Sequence, residues 1–138
     1  GIHPAEATLA KLMCERFGIE RVRFTNSGTE ANLLAMTTAV LATGRKKILV
    51  FKGGYHGSVF YFASGAAPWN APFDFVMTPF NDEEAARNVI KELGESLAAV
   101  VVAPMLGSGG CIAASPQFLS SVFLSTPLHF LPDSFANY

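Results

Sequence analysis

The sequence predicts an α/β fold, a three-layer sandwich with a mainly parallel sheet, and two observations carry that prediction. Helical and extended segments alternate along the 138 residues, at the spacing of right-handed strand–helix–strand crossovers. The extended segment 48–51 is entirely apolar, as is typical of a strand covered on both faces. Because half of the residues are hydrophobic, a chain of this length can form one domain with its own core.

Three helices are predicted from their end signals and from the spacing of their apolar residues. The first begins at Pro4 and ends before Gly18, and the second spans about 28–43. The third follows the acidic turn at 81–84 and ends at Gly94. The side chains expected to face the core are, helix by helix, Leu9, Leu12, Met13 and Phe17; Leu33, Thr37, Val40 and Leu41; and Ala86, Val89, Ile90 and Leu93.

The predicted strands indicate where a ligand would bind. They lie at 22–24, 48–51, 73–77 and 99–102. Open parallel sheets bind their ligands beyond the carboxyl ends of the strands. The segments that follow predicted strands are therefore expected to share one rim, and they are 25–29, 52–57 and 103–110.

The composition argues against several classes of function. A net charge of −1 does not favour a nucleic-acid binder, and no apolar run reaches the length of a membrane span. The residues after Gly1 show no basic region followed by an apolar stretch, so no secretory signal is expected. Cys14 and Cys111 have no metal or redox spacing and are expected to be buried in a reducing compartment. We therefore expect a cytoplasmic protein with neither a nucleic-acid nor a membrane partner.

The segment 24–32 has the pattern of a tight turn that opens a helix and holds an anion. Ser27 and Glu30 have the spacing of a capping box, in which each side chain accepts from the other's backbone amide. The amides of Gly28 and Thr29 would then point outward at the positive end of the helix dipole. Such amides bind phosphate, and a glycine lets the ligand approach closely.

The longer string Asn-Ser-Gly-Thr-Glu-Ala-Asn at 26–32, followed by Gly-Gly-Tyr-His-Gly at 53–57, resembles the class III aminotransferases, which use pyridoxal 5'-phosphate. The resemblance is closest to the branch that contains glutamate-1-semialdehyde 2,1-aminomutase, and it covers roughly residues 3–119. It implies that 1–119 is part of the large domain of pyridoxal-phosphate-dependent transferases of fold type I. We expect the remaining residues, 120–138, to be a C-terminal tail that diverges from the family.

The resemblance implies five cofactor-binding residues, which are Ser27, Gly28, Thr29, Tyr55 and His56. Gly28 and Thr29 match the phosphate-binding positions of the family, and Tyr55 matches the aromatic residue that stacks on the cofactor ring. His56 follows it, as in the family. From the residues alone, a packed loop aromatic and a histidine bonded to backbone are the simpler interpretations of the last two. No residue is assigned a catalytic role.

Three features depart from the family pattern. Ala103 stands before Pro104 where the family has a glutamate near the cofactor. The family's lysine, which binds the cofactor aldehyde covalently, corresponds to a position beyond residue 138. From Ser120 onward the resemblance ends. Asp133 falls near the expected distance for the acid that protonates the pyridine nitrogen, but the preceding Pro132 and the lack of a following glutamate leave it unassigned.

Three functional hypotheses follow. In the first, the chain is part of a transaminase or aminomutase that acts on an amino acid or amine as a homodimer, and these residues alone turn over no substrate. In the second, it is a non-catalytic interaction module that keeps the dimer surface of the family. In the third, it binds nucleotide phosphates, although neither Gly-x-x-x-x-Gly-Lys nor Gly-x-Gly-x-x-Gly follows its first strand.

Overall fold

The computed structural model describes residues 3–126. Their helices are α1 (Pro4–Phe17), α2 (Gly28–Thr43), α3 (Glu83–Leu93) and α4 (Pro116–Ser125). Their strands are β1 (Lys47–Phe51), β2 (Gly54–Tyr55), β3 (Tyr61–Phe62), β4 (Asp74–Thr78), β5 (Leu97–Val100), β6 (Met105–Leu106) and β7 (Ile112–Ala113). A short 3-10 turn, Gly94–Ser96, joins α3 to β5.

A parallel three-stranded sheet forms the centre of the fold. Its order is β4-β1-β5, so that β1 is the middle strand and the other two are its edges. The four residues 48–51 of β1 are at most 1% exposed. The apolar run in the sequence is therefore the buried central strand that it predicted.

Residues of β1 alternate between two apolar cores, one on each face of the sheet. Leu49 and Phe51 face α3 and α4, whose buried contributions are Ala86, Ile90, Phe118 and Val122. Ile48 and Val50 face the other side, where the covering residues are Met36 of α2 together with Phe60 and Phe62. Helices or loops thus cover both faces, which confirms the predicted three-layer α/β sandwich.

The helix ends agree with the sequence signals. Gly18 and Gly44 lie in the left-handed conformation directly after α1 and α2, and each donates its amide back into the preceding turn. The first turn of α3 is capped by Asp82, whose Oδ1 accepts from the Ala85 amide at 2.9 Å. These signals act within a few residues of the chain, which is why they can be recognised without the fold.

The strand predicted at 22–24 is absent from the described structure, where these residues are irregular. Three residues form only a few ladder hydrogen bonds, and no described strand lies beside them to accept these bonds. The turn at 25–29 therefore follows an irregular segment rather than a strand. It is positioned by α2, whose N-cap and first two residues it includes.

The predicted inner face of the first helix is wrong. That of the second is right only in part, because Val40 packs against the core whereas Leu33 and Leu41 are exposed. Leu9, Leu12 and Phe17 of α1 are 48–60% exposed, and no residue of that helix is buried in the described part of the chain. In α2 the buried side chain is Met36, whereas Leu41 is 72% exposed. Aliphatic residues surround α2, so the helical period alone does not select the face that packs.

The expectation that both cysteines are buried needs correction. Cys111 is exposed, since it lies in the loop between β6 and β7, and Cys14 is only partly buried; both are free thiols. Helix α4 runs through residues 119 and 120, so the proposed division between domain and tail does not coincide with a break in secondary structure. The aromatic and proline-rich segment 127–138, with Asp133, lies outside the described residues.

Within residues 3–126, none of the helices combines the length and the apolar character that crossing a bilayer requires. The same residues hold no group of three or more His, Cys, Asp or Glu side chains arranged to bind a metal.

Shortening a buried aromatic side chain of α4 should test how that helix packs on the sheet. Phe118 is fully buried and contacts Phe51 and Phe80 edge to face, with centroids 5.1 and 5.2 Å apart. We expect Phe118→Ala to lower the free energy of unfolding by about 3–5 kcal/mol, because it leaves a cavity. Phe123→Ala, on the exposed side of the same helix, should change it by less than about 0.5 kcal/mol. Equal losses in urea denaturation would contradict this packing.

Candidate functional site

The N-terminus of α2 presents two backbone amides that no described residue uses. Ser27 is the N-cap, with extended backbone, and its Oγ accepts from the Glu30 amide at 3.2 Å. The amides of Gly28 and Thr29 make no hydrogen bond within the described chain. A Cβ added to Gly28 would meet nothing within 4 Å beyond its own turn of helix. These amides are therefore open to an anion.

The second half of the capping box differs from the prediction. The Glu30 carboxylate accepts from the Asn26 amide at 2.9 Å and from the Asn26 side chain at 3.4 Å, rather than from the Ser27 amide. The carboxylate therefore bonds one residue before the N-cap. The Thr25 hydroxyl also donates to the Ser27 carbonyl at 3.0 Å. The turn is thus closed by its own side chains, and the Ser27 hydroxyl is occupied by the cap.

The aromatic loop leaves the carboxyl end of β1. Gly53 has a φ of 87°, which turns the chain into the antiparallel pair β2–β3. Tyr55 lies opposite Tyr61 in this pair, and their rings meet edge to face with centroids 5.6 Å apart. Tyr55 remains 53% exposed. Its side chain is therefore accessible to a ligand.

His56 is held in the loop by backbone contacts. Its amide donates to the Phe60 carbonyl at 2.9 Å, and its own carbonyl accepts from Asn32 Nδ2 at 2.7 Å. Burial lowers the pKa of the imidazole below its usual value of 6.5. The ring is therefore neutral near pH 7, and its backbone rather than its charge connects it to α2.

The first turn of α2 and the aromatic loop touch directly. The Ser58 amide donates to Thr29 Oγ1 at 3.1 Å. A Cβ on Gly57 would lie 2.4 Å from that same oxygen and 2.7 Å from Thr29 Cα, and Gly57 has a φ of 127°. Only glycine allows this approach, both for space and for backbone conformation.

Beside this contact lies an open cleft of about 310 Å³, and its lining residues are Gly28, Thr29, Asn32, Tyr55, His56 and Gly57. Four of the five predicted cofactor-binding residues line this cleft. Ser27 does not, and it serves as the helix cap at the edge. Asn32 and the contact that Gly57 makes were not predicted from the sequence. Asn32 is the last residue of the 26–32 motif, but its role depends on a hydrogen bond to a residue 24 positions away.

The cleft has the donors and the shape for a phosphate ester joined to a flat ring. None of its lining side chains is a lysine or arginine, so an anion would be held by amides and by the Thr29 hydroxyl. That hydroxyl accepts from Ser58 and retains its own proton to donate. The exposed face of Tyr55 suits stacking on a heterocycle. These residues fit pyridoxal phosphate.

The third predicted rim segment, 103–110, reaches the same edge of the sheet but lines a different cavity. Leu106 and Gly109 contribute to a cavity of about 380 Å³ that also includes Gly53 and Asn81. Ala103 is half-buried and lines neither this cavity nor the cofactor cleft.

The family model described as "Aminotransferase class-III" matches residues 2–124. The chain is 52% identical over 118 residues to beta-phenylalanine transaminase of Variovorax paradoxus, covering 85% of this chain and 27% of that protein. It is 39% identical over 132 residues to glutamate-1-semialdehyde 2,1-aminomutase of Aquifex aeolicus, covering 85% of this chain and 31% of that protein. The chain thus spans about three tenths of the length of these curated relatives.

Two solved structures of transaminases have the same fold as this chain. The crystal structure of the beta-phenylalanine aminotransferase from Variovorax paradoxus superimposes with a TM-score of 0.87 at 51% identity, covering 91% of this chain and 29% of that one. A transaminase with PLP bound gives a TM-score of 0.77 at 28% identity, covering 91% and 33%.

The parallel sheet, its two helical layers and the amide-lined cleft at its carboxyl edge define part of the large domain of a fold type I, pyridoxal-phosphate-dependent transferase. Within that class, the chain belongs to the class III aminotransferase family. This confirms the family that the motifs at 26–32 and 53–57 indicated.

A side chain at Gly57 should separate the loop from the helix. We expect Gly57→Ala to lower the free energy of unfolding by about 1–3 kcal/mol, because its Cβ would overlap Thr29 and its backbone would be strained. Gly65→Ala is the matched control, since a Cβ there meets nothing within 4 Å. Hydrogen exchange of the Ser58 amide should accelerate only in Gly57→Ala. Unchanged protection of that amide would refute the close contact.

The buried imidazole should make stability depend on pH. The pKa of His56 is lower in the folded chain than the unfolded value of 6.5, so acid protonates the unfolded state first. The contribution of His56 is complete above pH 6.5 and is lost as pH falls from there through the folded pKa. We expect an NMR titration midpoint for His56 below 6.5, and a shallower loss of stability in His56→Gln. A midpoint at or above 6.5 would contradict the lowering of the pKa by burial.

Proposed function

We propose that the cleft binds pyridoxal 5'-phosphate, as part of the cofactor site of a class III aminotransferase or aminomutase. One observation carries the proposal. The free amides of Gly28 and Thr29 and the exposed ring of Tyr55 line one cleft, which the bond between the Ser58 amide and Thr29 holds closed on one side. A helix N-terminus beside a ring of this kind matches both ends of the cofactor.

The five predicted cofactor-binding residues, four in the cleft and Ser27 at its edge, have different tasks in this proposal. Gly28 and Thr29 bind the phosphate, and the side chain of Ser27 keeps the first turn in shape by capping Glu30. Tyr55 supplies the flat face, and His56, neutral and bonded through its backbone, keeps Tyr55 beside the helix. Bound pyridoxal phosphate supplies an electron-withdrawing ring that stabilises negative charge on a substrate carbon.

The activity of the whole protein belongs to the same proposal. The relatives are named as transaminases and aminomutases, and this chain corresponds to about three tenths of their length. We propose that the intact protein acts on an amino acid or an amine as a homodimer. A cytoplasmic location fits the two free thiols. The division into 1–119 and a divergent tail, and the consequence of Ala103, stay predictions.

An interaction module is the second candidate, and one observation favours it. Leu9, Leu12 and Phe17 of α1 and Leu41 of α2 are each 48% exposed or more. Apolar side chains of this size on two consecutive helices are typical of a protein surface that is covered by a partner. This candidate differs from the first in requiring no cofactor.

Titration with pyridoxal phosphate should test the cleft, with Tyr55 as the probe. We expect the cofactor to raise the melting temperature and to bind about two- to tenfold more weakly to Tyr55→Ala, since stacking is worth about 0.5–1.5 kcal/mol. Tyr55→Phe is the matched control and should bind like the unchanged protein, because it keeps the ring.

Titration with pyridoxal, which lacks the phosphate, distinguishes the contribution of the phosphate to binding from that of the ring. We expect it to bind more weakly than the phosphate ester, since it leaves the Gly28 and Thr29 amides unused. The proposal fails if neither absorbance nor melting temperature responds to the ester. A dimer that ignores the cofactor would support the interaction module instead.

A further inference from the structure

Asn81 has a geometry that neither the core nor the cofactor cleft requires. Its φ is 61°, a left-handed conformation that asparagine adopts more readily than most residues. Its side chain makes two hydrogen bonds at 2.9 Å, although the residue is exposed. Nδ2 donates to the Ala113 carbonyl, and Oδ1 accepts from the Ser115 amide. Both ends of the side-chain amide thus hold one short segment.

That segment is one end of the hairpin β6–β7. The hairpin has two paired positions, Met105 with Ala113 and Leu106 with Ile112. A further bond from the Ala114 amide to the Pro104 carbonyl, at 2.9 Å, closes its base. Hairpins this short are not stable on their own, so their orientation depends on outside contacts. Asn81 supplies two of these contacts.

The other end of the hairpin packs against Gly53, where the aromatic loop begins. Leu106 is only 5% exposed, and its Cδ1 lies 3.0 Å from where a Cβ on Gly53 would be. A Cβ on Gly109 would lie 3.3 Å from the Gly53 carbonyl oxygen. The Gly53 amide donates to the Phe62 carbonyl at 2.7 Å, immediately before β2. The hairpin therefore packs against the residue where the chain turns toward Tyr55.

We propose that Asn81 is a positioning residue for the cofactor ring. It holds the hairpin against Gly53, and Gly53 sets the direction of the strand that carries Tyr55. Asn81 lines the second cavity with Gly53 and Leu106, and it does not line the cofactor cleft, so it acts through the loop and not on the ligand. The inference rests on the proposed function, because it concerns the ring that Tyr55 would stack on.

The test variant is Asn81→Gly, which keeps the left-handed backbone and removes both side-chain hydrogen bonds. Ser115→Ala is the matched control. It removes the Oγ that caps α4 through the Phe118 amide, but it keeps the Ser115 amide that Asn81 binds. Both variants weaken the same corner of the fold, so a purely structural role predicts the same behaviour for both.

Hydrogen exchange and cofactor affinity distinguish a positioning role of Asn81 from a purely stabilising one. In the ligand-free protein, Asn81→Gly should accelerate hydrogen exchange of the Gly53 and His56 amides, and Ser115→Ala should not. With pyridoxal phosphate, Asn81→Gly should bind about two- to tenfold more weakly, as expected when the ring contact is lost. Inorganic phosphate should still perturb the Gly28 and Thr29 amides equally in both variants. Equal exchange and equal cofactor affinity in the two variants would overturn the inference.

Leu106→Ala tests the same contact from the other end of the hairpin. If Leu106 and Asn81 act through one element, the loss of cofactor affinity in the double variant should be smaller than the sum of the single losses. Additive losses would contradict the coupling. If the unchanged protein shows no response to pyridoxal phosphate, the proposed function fails, and the exchange of Gly53 and His56 still decides whether Asn81 orients the loop.

Discussion

The close approach of Gly57 to Thr29 is the constraint on which the candidate site depends. The helix start and the aromatic loop are separate in sequence, and each contributes residues to the lining of the cleft. Two hydrogen bonds join them, one from Ser58 to Thr29 and one from Asn32 to the His56 carbonyl. Because these bonds use the backbone of the loop, they hold its main chain against the first turn of α2, and the free amides and Tyr55 line one cleft.

Strand β1 supports this contact from beneath. Its alternate residues enter two different cores, so the strand cannot shift without disturbing both faces of the sheet. Its carboxyl end leads into Gly53, and α2 packs on one of its faces through Met36. The two partners in the cleft are therefore anchored to the same strand. Site geometry and core packing are not independent in this molecule.

The sequence predicted the features whose causes are local. Caps at Ser27 and Gly44, the buried run of β1 and four residues of the cleft could all be recognised, because each depends on neighbouring residues or on a family motif. It did not predict which face of α2 packs, since aliphatic side chains surround that helix. Nor did it indicate the role of Asn81, whose hydrogen bonds reach residues 32 and 34 positions away.

The order of the central sheet has a consequence for handling these residues in isolation. Within residues 3–126, β4 and β5 each have a neighbour on one side only, and both are parallel strands of four or five residues. The unpaired backbone N–H and C=O groups of such an edge strand can pair with a strand of another molecule. A preparation of this segment by itself would therefore self-associate through strand addition as its concentration rises, and lysine or proline placed on the outer side of β4 would be the natural remedy.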